Sequence, residues 1–223
     1  MTAQKPTSVK ICGITTVKQA LSIASLGADA IGVIGVPDSP RFLSDKERRV
    51  IFESLIKNAP TVERVWVVAN IDSNSIAKGL KGIGAPSVIQ LHGQESNQRC
   101  IELKELHPHI KLWKSFQISQ LEDLKLAQTY QNAVDALLID AWSSKRLGVT
   151  GERIPIELLS QIKFNIPWWL AGGVSSDWIK KVLIKIKPFG IDASSKLEIQ
   201  PGIKDLQKVK ALLKEVKLHP KIT

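Results

Sequence analysis

Short apolar runs alternate along this chain with longer stretches whose apolar positions recur every three or four residues. The short runs predict strands at Val9–Cys12, Ala30–Ile34, Arg64–Ala69, Ser87–Leu91, Ile110–Ser115, Ala136–Asp140, Trp168–Ala171 and Phe189–Asp192. The longer stretches predict helices at Val17–Leu26, Asp45–Asn58, Ser75–Gly82, Gln94–Leu106, Leu121–Tyr130, Ile156–Lys163, Asp177–Lys187 and Lys204–Lys217. The strand candidates are near-continuous Val, Ile, Leu and Ala rather than clean alternations, as expected of strands buried on both faces of a parallel sheet. Strand–helix units repeated this often, with short Gly, Pro and Ser connections, fit a closed (β/α)8 TIM barrel. A dinucleotide-binding sheet is disfavoured, because no G-x-G-x-x-G follows the first strand. With no linker-like shift in composition, low-complexity tract or charge block, residues 1–223 read as a single TIM-barrel domain.

A barrel places its chemistry where the strands end. Strand 1 ends at Cys12, strand 4 at Gln90-Leu91-His92-Gly93, strand 6 at Asp140, strand 7 at Ala171-Gly172-Gly173 and strand 8 at Asp192-Ala193-Ser194-Ser195; strand 2 runs into Asp38-Ser39-Pro40-Arg41. Polar residues therefore gather at one end of an otherwise apolar strand set. Gly172 and Gly173 let a ligand approach the backbone, and Ser194 and Ser195 add N–H groups and hydroxyls, in the loops where this architecture holds phosphate. The same residues also read as a tight turn and a helix cap. Cys12 and Asp140 suit a base and an acid facing each other across a small substrate, with burial raising the Asp140 pKa. Position alone equally allows a core thiol and a capping carboxylate. Taken singly, Arg41 reads as a surface residue, His92 as a satisfied loop histidine and Gln90 as a hydrogen bonder at a strand end.

Charge changes this picture little. The net charge is +10, and the C-terminal lysines, from Lys180 through Lys204 to Lys217, fall mostly at solvent-facing helical spacing. They predict a solvated surface whose field favours small anions. No basic segment is interleaved with aromatics, so nucleic acid is not an expected partner. No apolar run is long enough to span a membrane, and the N-terminus lacks the apolar core of a signal peptide. The two cysteines, Cys12 and Cys100, make no disulfide framework, which points to a cytoplasmic protein. Cys100, on a helix, is expected to be buried and inert.

Seven motifs in order carry a family resemblance: Lys10-Ile11-Cys12-Gly13-Ile14-Thr15, Gly27-Ala28-Asp29-Ala30-Ile31-Gly32, Ser39-Pro40-Arg41, Gln90-Leu91-His92-Gly93, Leu138-Ile139-Asp140, Leu170-Ala171-Gly172-Gly173 and Gly190-Ile191-Asp192-Ala193-Ser194-Ser195. Together, over about Lys10 to Lys214, they resemble the phosphoribosylanthranilate isomerases of tryptophan biosynthesis. The resemblance implies an Amadori rearrangement of N-(5-phosphoribosyl)anthranilate to 1-(2-carboxyphenylamino)-1-deoxyribulose 5-phosphate, with no metal and no cofactor. It implies that Asp140 is the general acid and Cys12 the general base. Arg41 would pair with the anthranilate carboxylate, while Gly172, Gly173, Ser194 and Ser195 hold the phosphate. Gln90, His92 and Asp192 would complete the substrate site. The expected partner is this small phosphoribosyl substrate, and the expected state a monomer or weak homodimer.

The chain departs from the family pattern in places. Gly148-Val149-Thr150-Gly151 replaces a Gly-Gly-Thr-Gly loop, Ile154-Pro155-Ile156 replaces an aromatic continuation, Lys196 stands where Gly follows Ser-Ser, and Val33-Ile34-Gly35 replaces Phe-Val-Phe. Val149 stiffens its loop, and Lys196 takes a positive φ less cheaply than Gly. Two other readings are a sister sugar-phosphate isomerase of histidine biosynthesis, which calls for two similar halves absent here, and a binding protein without turnover. Of the six tryptophans, Trp142 lies near enough to Asp140 to touch the substrate ring, and the others read as packing residues.

Overall fold

The computed structural model describes residues 7–140, 142–143, 152–153, 156–161 and 163–219. Eight parallel strands, β1 (Ser8–Cys12), β2 (Ala30–Ile34), β3 (Glu63–Val68), β4 (Val88–Leu91), β5 (Lys111–Gln117), β6 (Ala136–Asp140), β7 (Trp168–Ala171) and β8 (Gly190–Ala193), close into a barrel. Closure comes from β1, which pairs with β2 on one side and β8 on the other, placing Lys10 level with Ala30 and with Asp192. The helices α1 (Val17–Ser25), α2 (Asp45–Asn58), α3 (Ser73–Leu80), α4 (Asn97–Leu106), α5 (Leu121–Gln128), α6 (Ile156–Ser160), α7 (Ser176–Lys185) and α8 (Leu206–Leu218) follow the strands in turn. The TIM-barrel expectation holds.

Helix boundaries move to where a side chain caps the first turn. Asp72 accepts from the Ser75 N–H at 2.9 Å, so α3 starts at Ser73, earlier than periodicity suggests. Ser96 accepts from Arg99 at 3.1 Å and delays α4 to Asn97. Asp205 accepts from Gln207 at 2.9 Å, so Lys204 lies outside α8, in a short strand (Ile203–Lys204) paired with Glu198–Gln200. Such caps satisfy backbone donors that have no partner inside the helix.

Two apolar layers result from strand alternation. Outward residues such as Ile11, Val33, Val68, Leu91, Ile139, Leu170 and Ile191 pack with the buried faces of the helices. Inward ones, including Ala30, Val65, Val67, Val88, Trp113, Leu138 and Trp169, form a separate inner cluster. At its base Trp169 stacks on Trp113 at 4.7 Å and meets Phe189 edge-on at 5.7 Å, closing the barrel floor. Gly190 on β8 gives the Trp169 ring its space, since a Cβ there would collide with it. Trp66 is likewise a packing residue, with Arg48 against its ring at 4.6 Å. Cys100 is fully buried, which pushes its thiol up to about 11 and leaves it inert, as expected. No helix among the described residues is long and apolar enough to cross a membrane.

Candidate active site

Above the aromatic floor the inward positions turn polar: Lys10 and Cys12 on β1, Gln90 on β4 with His92 beyond it, Asp140 on β6 and Asp192 on β8. They line a cavity of about 600 Å³ at the C-terminal ends of the strands, apart from Lys10, which is fully buried. All ten residues expected from sequence, Cys12, Arg41, Gln90, His92, Asp140, Gly172, Gly173, Asp192, Ser194 and Ser195, border this one cavity. Asp38, Ser39 and Lys196 join them.

Cys12 owes its setting to two neighbours. Gly32 is its register partner on β2, and a Cβ there would lie 2.7 Å from the Cys12 Sγ and 3.1 Å from the Lys10 Cε. Thiol and ammonium therefore share a space that only glycine leaves open. The Lys10 Nζ donates to Asp192 Oδ2 at 2.8 Å, and both side chains are buried. Burial works against the Lys10 charge, yet Asp192 and Cys12 outweigh it and hold its pKa above the ordinary value. The Cys12 thiol is pushed up by burial and pulled back by Lys10, with burial winning. His92 is pushed down, first by burial and then by Lys10, so at neutral pH it is an uncharged imidazole.

The other walls are set by turns. Gln90 Nε2 donates to Ser115 Oγ at 3.1 Å, whereas Gln90 Oε1 and Asp192 Oδ1 are buried acceptors without a donor among the described residues. Asp140 is half-buried at the end of β6, where its backbone carbonyl accepts from the Ile118 N–H at 3.0 Å. Gly172 and Gly173 have φ of 96° and 60°, a left-handed turn that brings their backbone to the cavity ahead of α7. Ser194 Oγ donates to the Cys12 carbonyl at 3.0 Å, and Ser195 opens a 3-10 turn through Leu197. Lys196 sits inside that turn. Asn70 alone among the described non-glycine residues has positive φ, so Lys196 needs no left-handed backbone here. The Gly148–Gly151 and Ile154–Pro155 departures, and the Trp142 side chain, lie outside the described residues.

Two sequence readings need correction. Arg41 is not a surface residue: its Nε and Nη2 donate to the two carboxylate oxygens of Glu198 at 2.7 and 2.5 Å. Lys204 is neither a helix start nor a solvated lysine; it is buried, bonded to Glu198 Oε1 at 2.6 Å and to the Ser194 carbonyl at 3.3 Å. Glu198 was invisible to motif reading because its partner Arg41 lies 157 residues away. Lys10 carried a usable signal, since it is two residues before Cys12 on a strand and must face the same way. Among the described residues no cluster of three His, Cys, Asp or Glu is placed to hold a metal ion.

Comparison with known proteins agrees with this geometry. The family model described as N-(5'phosphoribosyl)anthranilate (PRA) isomerase matches residues 9–215. The N-(5'-phosphoribosyl)anthranilate isomerase of Synechococcus sp. (strain JA-3-3Ab) is 41% identical over 93% of this chain and 90% of its own length. That of Nostoc punctiforme is 39% identical over 93% of this chain and 97% of its own. Among solved structures, phosphoribosyl anthranilate isomerase from Thermotoga maritima superposes with a TM-score of 0.83 at 29% identity, over 94% of this chain and 98% of its own. Another phosphoribosyl anthranilate isomerase, solved with reduced 1-(o-carboxyphenylamino)-1-deoxyribulose 5-phosphate, gives a TM-score of 0.78 at 29% identity, over 94% of this chain and 98% of its own. A closed barrel with every expected residue on one cavity, matched along nearly its whole length, places this chain in the N-(5'-phosphoribosyl)anthranilate isomerase family.

Proposed function

We propose that Cys12 and Asp140 are the proton-transfer pair with which this isomerase converts N-(5-phosphoribosyl)anthranilate to 1-(2-carboxyphenylamino)-1-deoxyribulose 5-phosphate. The observation that carries the reading is their placement: residues from strands three apart face one closed-floored cavity, which Arg41 and the turns after β7 and β8 also line. Asp140 donates a proton to the ribose ring oxygen; the C1–O bond breaks as the anilino nitrogen lone pair moves in, giving an iminium. Cys12 as thiolate then removes the C2 proton. The C–H electrons form C1=C2 and return the lone pair to nitrogen. Tautomerisation of the enol so formed gives the ketone at C2.

The surroundings suit each step. The Lys10 ammonium and the new iminium charge both favour the thiolate when it is needed, against the burial that otherwise keeps the thiol protonated. Asp192 Oδ1 and Gln90 Oε1, both short of donors among the described residues, match the hydroxyls of a ribose chain. Neutral His92 adds hydrogen bonding without competing charge. The Gly172–Gly173 turn and the Ser194–Ser195 turn supply N–H groups for the phosphate.

The test follows loss of fluorescence of substrate made freshly from anthranilate and phosphoribosyl pyrophosphate. Asp140→Asn and Cys12→Ala should each lower kcat by roughly 100- to 10,000-fold, with circular dichroism melting unchanged. Turnover retained in either variant would remove that residue from its role.

A further inference from the structure

Glu198 lies in a short strand (Glu198–Gln200) beyond β8, and its side chain is only 5% exposed. It binds one edge of the Arg41 guanidinium, Nε to Oε1 at 2.7 Å and Nη2 to Oε2 at 2.5 Å. A guanidinium is a planar fork with five N–H groups. Once the Nε/Nη2 edge is taken, the Nη1/Nη2 edge is the remaining one able to grip both oxygens of another carboxylate. The Arg41 stem packs over Gly13, which has φ of 75° and where a Cβ would lie 2.5 Å from the Arg41 Cδ. With its Nε/Nη2 edge held by Glu198, Arg41 lines the cavity wall.

Glu198 also ties in the neighbouring loop after β8. Its Oε1 accepts from the Lys204 Nζ at 2.6 Å and the Gly202 N–H at 3.2 Å. Lys204 in turn lies 3.3 Å from the Ser194 carbonyl and 3.4 Å from its Oγ, and that Oγ donates to the Cys12 carbonyl. One carboxylate is thus shared by two cations, so the cluster keeps a net positive charge toward an anion.

We propose that Glu198 is a positioning residue for the isomerisation: it occupies the Nε/Nη2 edge of Arg41 and turns the Nη1/Nη2 edge to the substrate's aromatic carboxylate, while Lys204 ties the same anchor to the Ser194 loop. The proposal rests on the functional reading above. It differs from a general structural role in predicting discrimination, since Glu198 acts on the carboxylate end of the ligand.

The experiment compares N-(5-phosphoribosyl)anthranilate with N-(5-phosphoribosyl)aniline, which lacks the carboxylate, in wild type and in Glu198→Gln. Wild type should prefer the carboxylated substrate in kcat/KM. Glu198→Gln should raise KM for it roughly 10- to 100-fold, the range of a charge-assisted hydrogen bond, with kcat within about threefold and the aniline substrate little affected. A uniform loss on both substrates, or no loss on either, overturns the proposal. If Glu198→Gln does not fold, Glu198→Asp, which keeps the charge and shortens the reach, is read by the same ratio. If wild type turns over neither substrate, the functional reading fails. Calorimetric affinities for the reduced products with and without the carboxylate then test Glu198 alone, by whether its variant loses the difference.

Discussion

Two buried lysine–carboxylate pairs, one inside the barrel and one on its outer face, are built for different ends. On the outside, Lys114 of β5 donates to the carbonyls of Gly93 at 2.9 Å and Ser115 at 2.8 Å and lies 3.3 Å from Glu95. Glu95 accepts in addition from the N–H groups of Asn70 at 2.7 Å and Gly93 at 3.0 Å. Every proton and both oxygens are occupied, and the pair pins the loops after β3 and β4. Inside, Lys10 holds one oxygen of Asp192 and leaves the other without a donor among the described residues. Burial wins at Lys114 and pulls its pKa below the ordinary value, while Asp192 and Cys12 win at Lys10 and raise it. The same two residue types therefore give a completed clamp in one place and an unfinished, firmly charged one beside the Cys12 thiol in the other.

Removing each lysine separates the two roles. Lys10→Met and Lys114→Met should each cost about 3–5 kcal/mol of stability, because each strands a buried carboxylate. Only Lys10→Met should also shift the pH midpoint for iodoacetamide alkylation of Cys12 upward and depress turnover. Equal effects of the two variants on that midpoint would erase the distinction. Gly32→Ala sharpens it further: a methyl 2.7 Å from Sγ displaces the thiol while leaving Lys114 and Glu95 alone. Its expected cost is on the order of 100-fold in kcat, as for misplacing the proposed base by about 1 Å, with melting lowered much less than in either lysine variant.

The smallest effect concerns the third buried cluster, at the rim. Burial opposes the Glu198 charge, but Arg41 and Lys204 overcome it and hold its carboxyl down at about 2, against 4.5 ordinarily. A depressed carboxylate pKa contributes stability that is complete above the unfolded value and disappears as pH falls through the folded one. Wild type should thus lose stability between about pH 4.5 and pH 2 more steeply than Glu198→Gln, measured by denaturant midpoint. Parallel curves would show that the rim cluster contributes nothing at equilibrium.

The comparison also marks where sequence reading succeeds. β2, β6 and β7 fall where their apolar runs begin and end, as does α2, whose capping box of Ser44 and Glu47 is written locally. Cys12, Asp140, Asp192 and the glycine and serine turns were legible because a barrel puts strand ends on one face, and that rule needs no distant partner. Glu198 and Lys204 were not. The role of Glu198 depends on a contact to Arg41 made only when strands far apart in the chain close, and Lys204, although its partner Glu198 is near in the chain, is buried against the usual exposure of lysine. Lys10 falls between: alternation placed it beside Cys12, but nothing local announced Asp192 as its partner.

The floor formed by Trp113, Trp169 and Phe189 has a consequence for traffic. A chamber closed below makes product leave by the doorway through which the next substrate comes in, past the same loops at the strand ends. Arrival and departure cannot overlap. Product is then a competitor for the empty chamber at every cycle, and the flux this enzyme sustains depends on how quickly whatever acts next removes it.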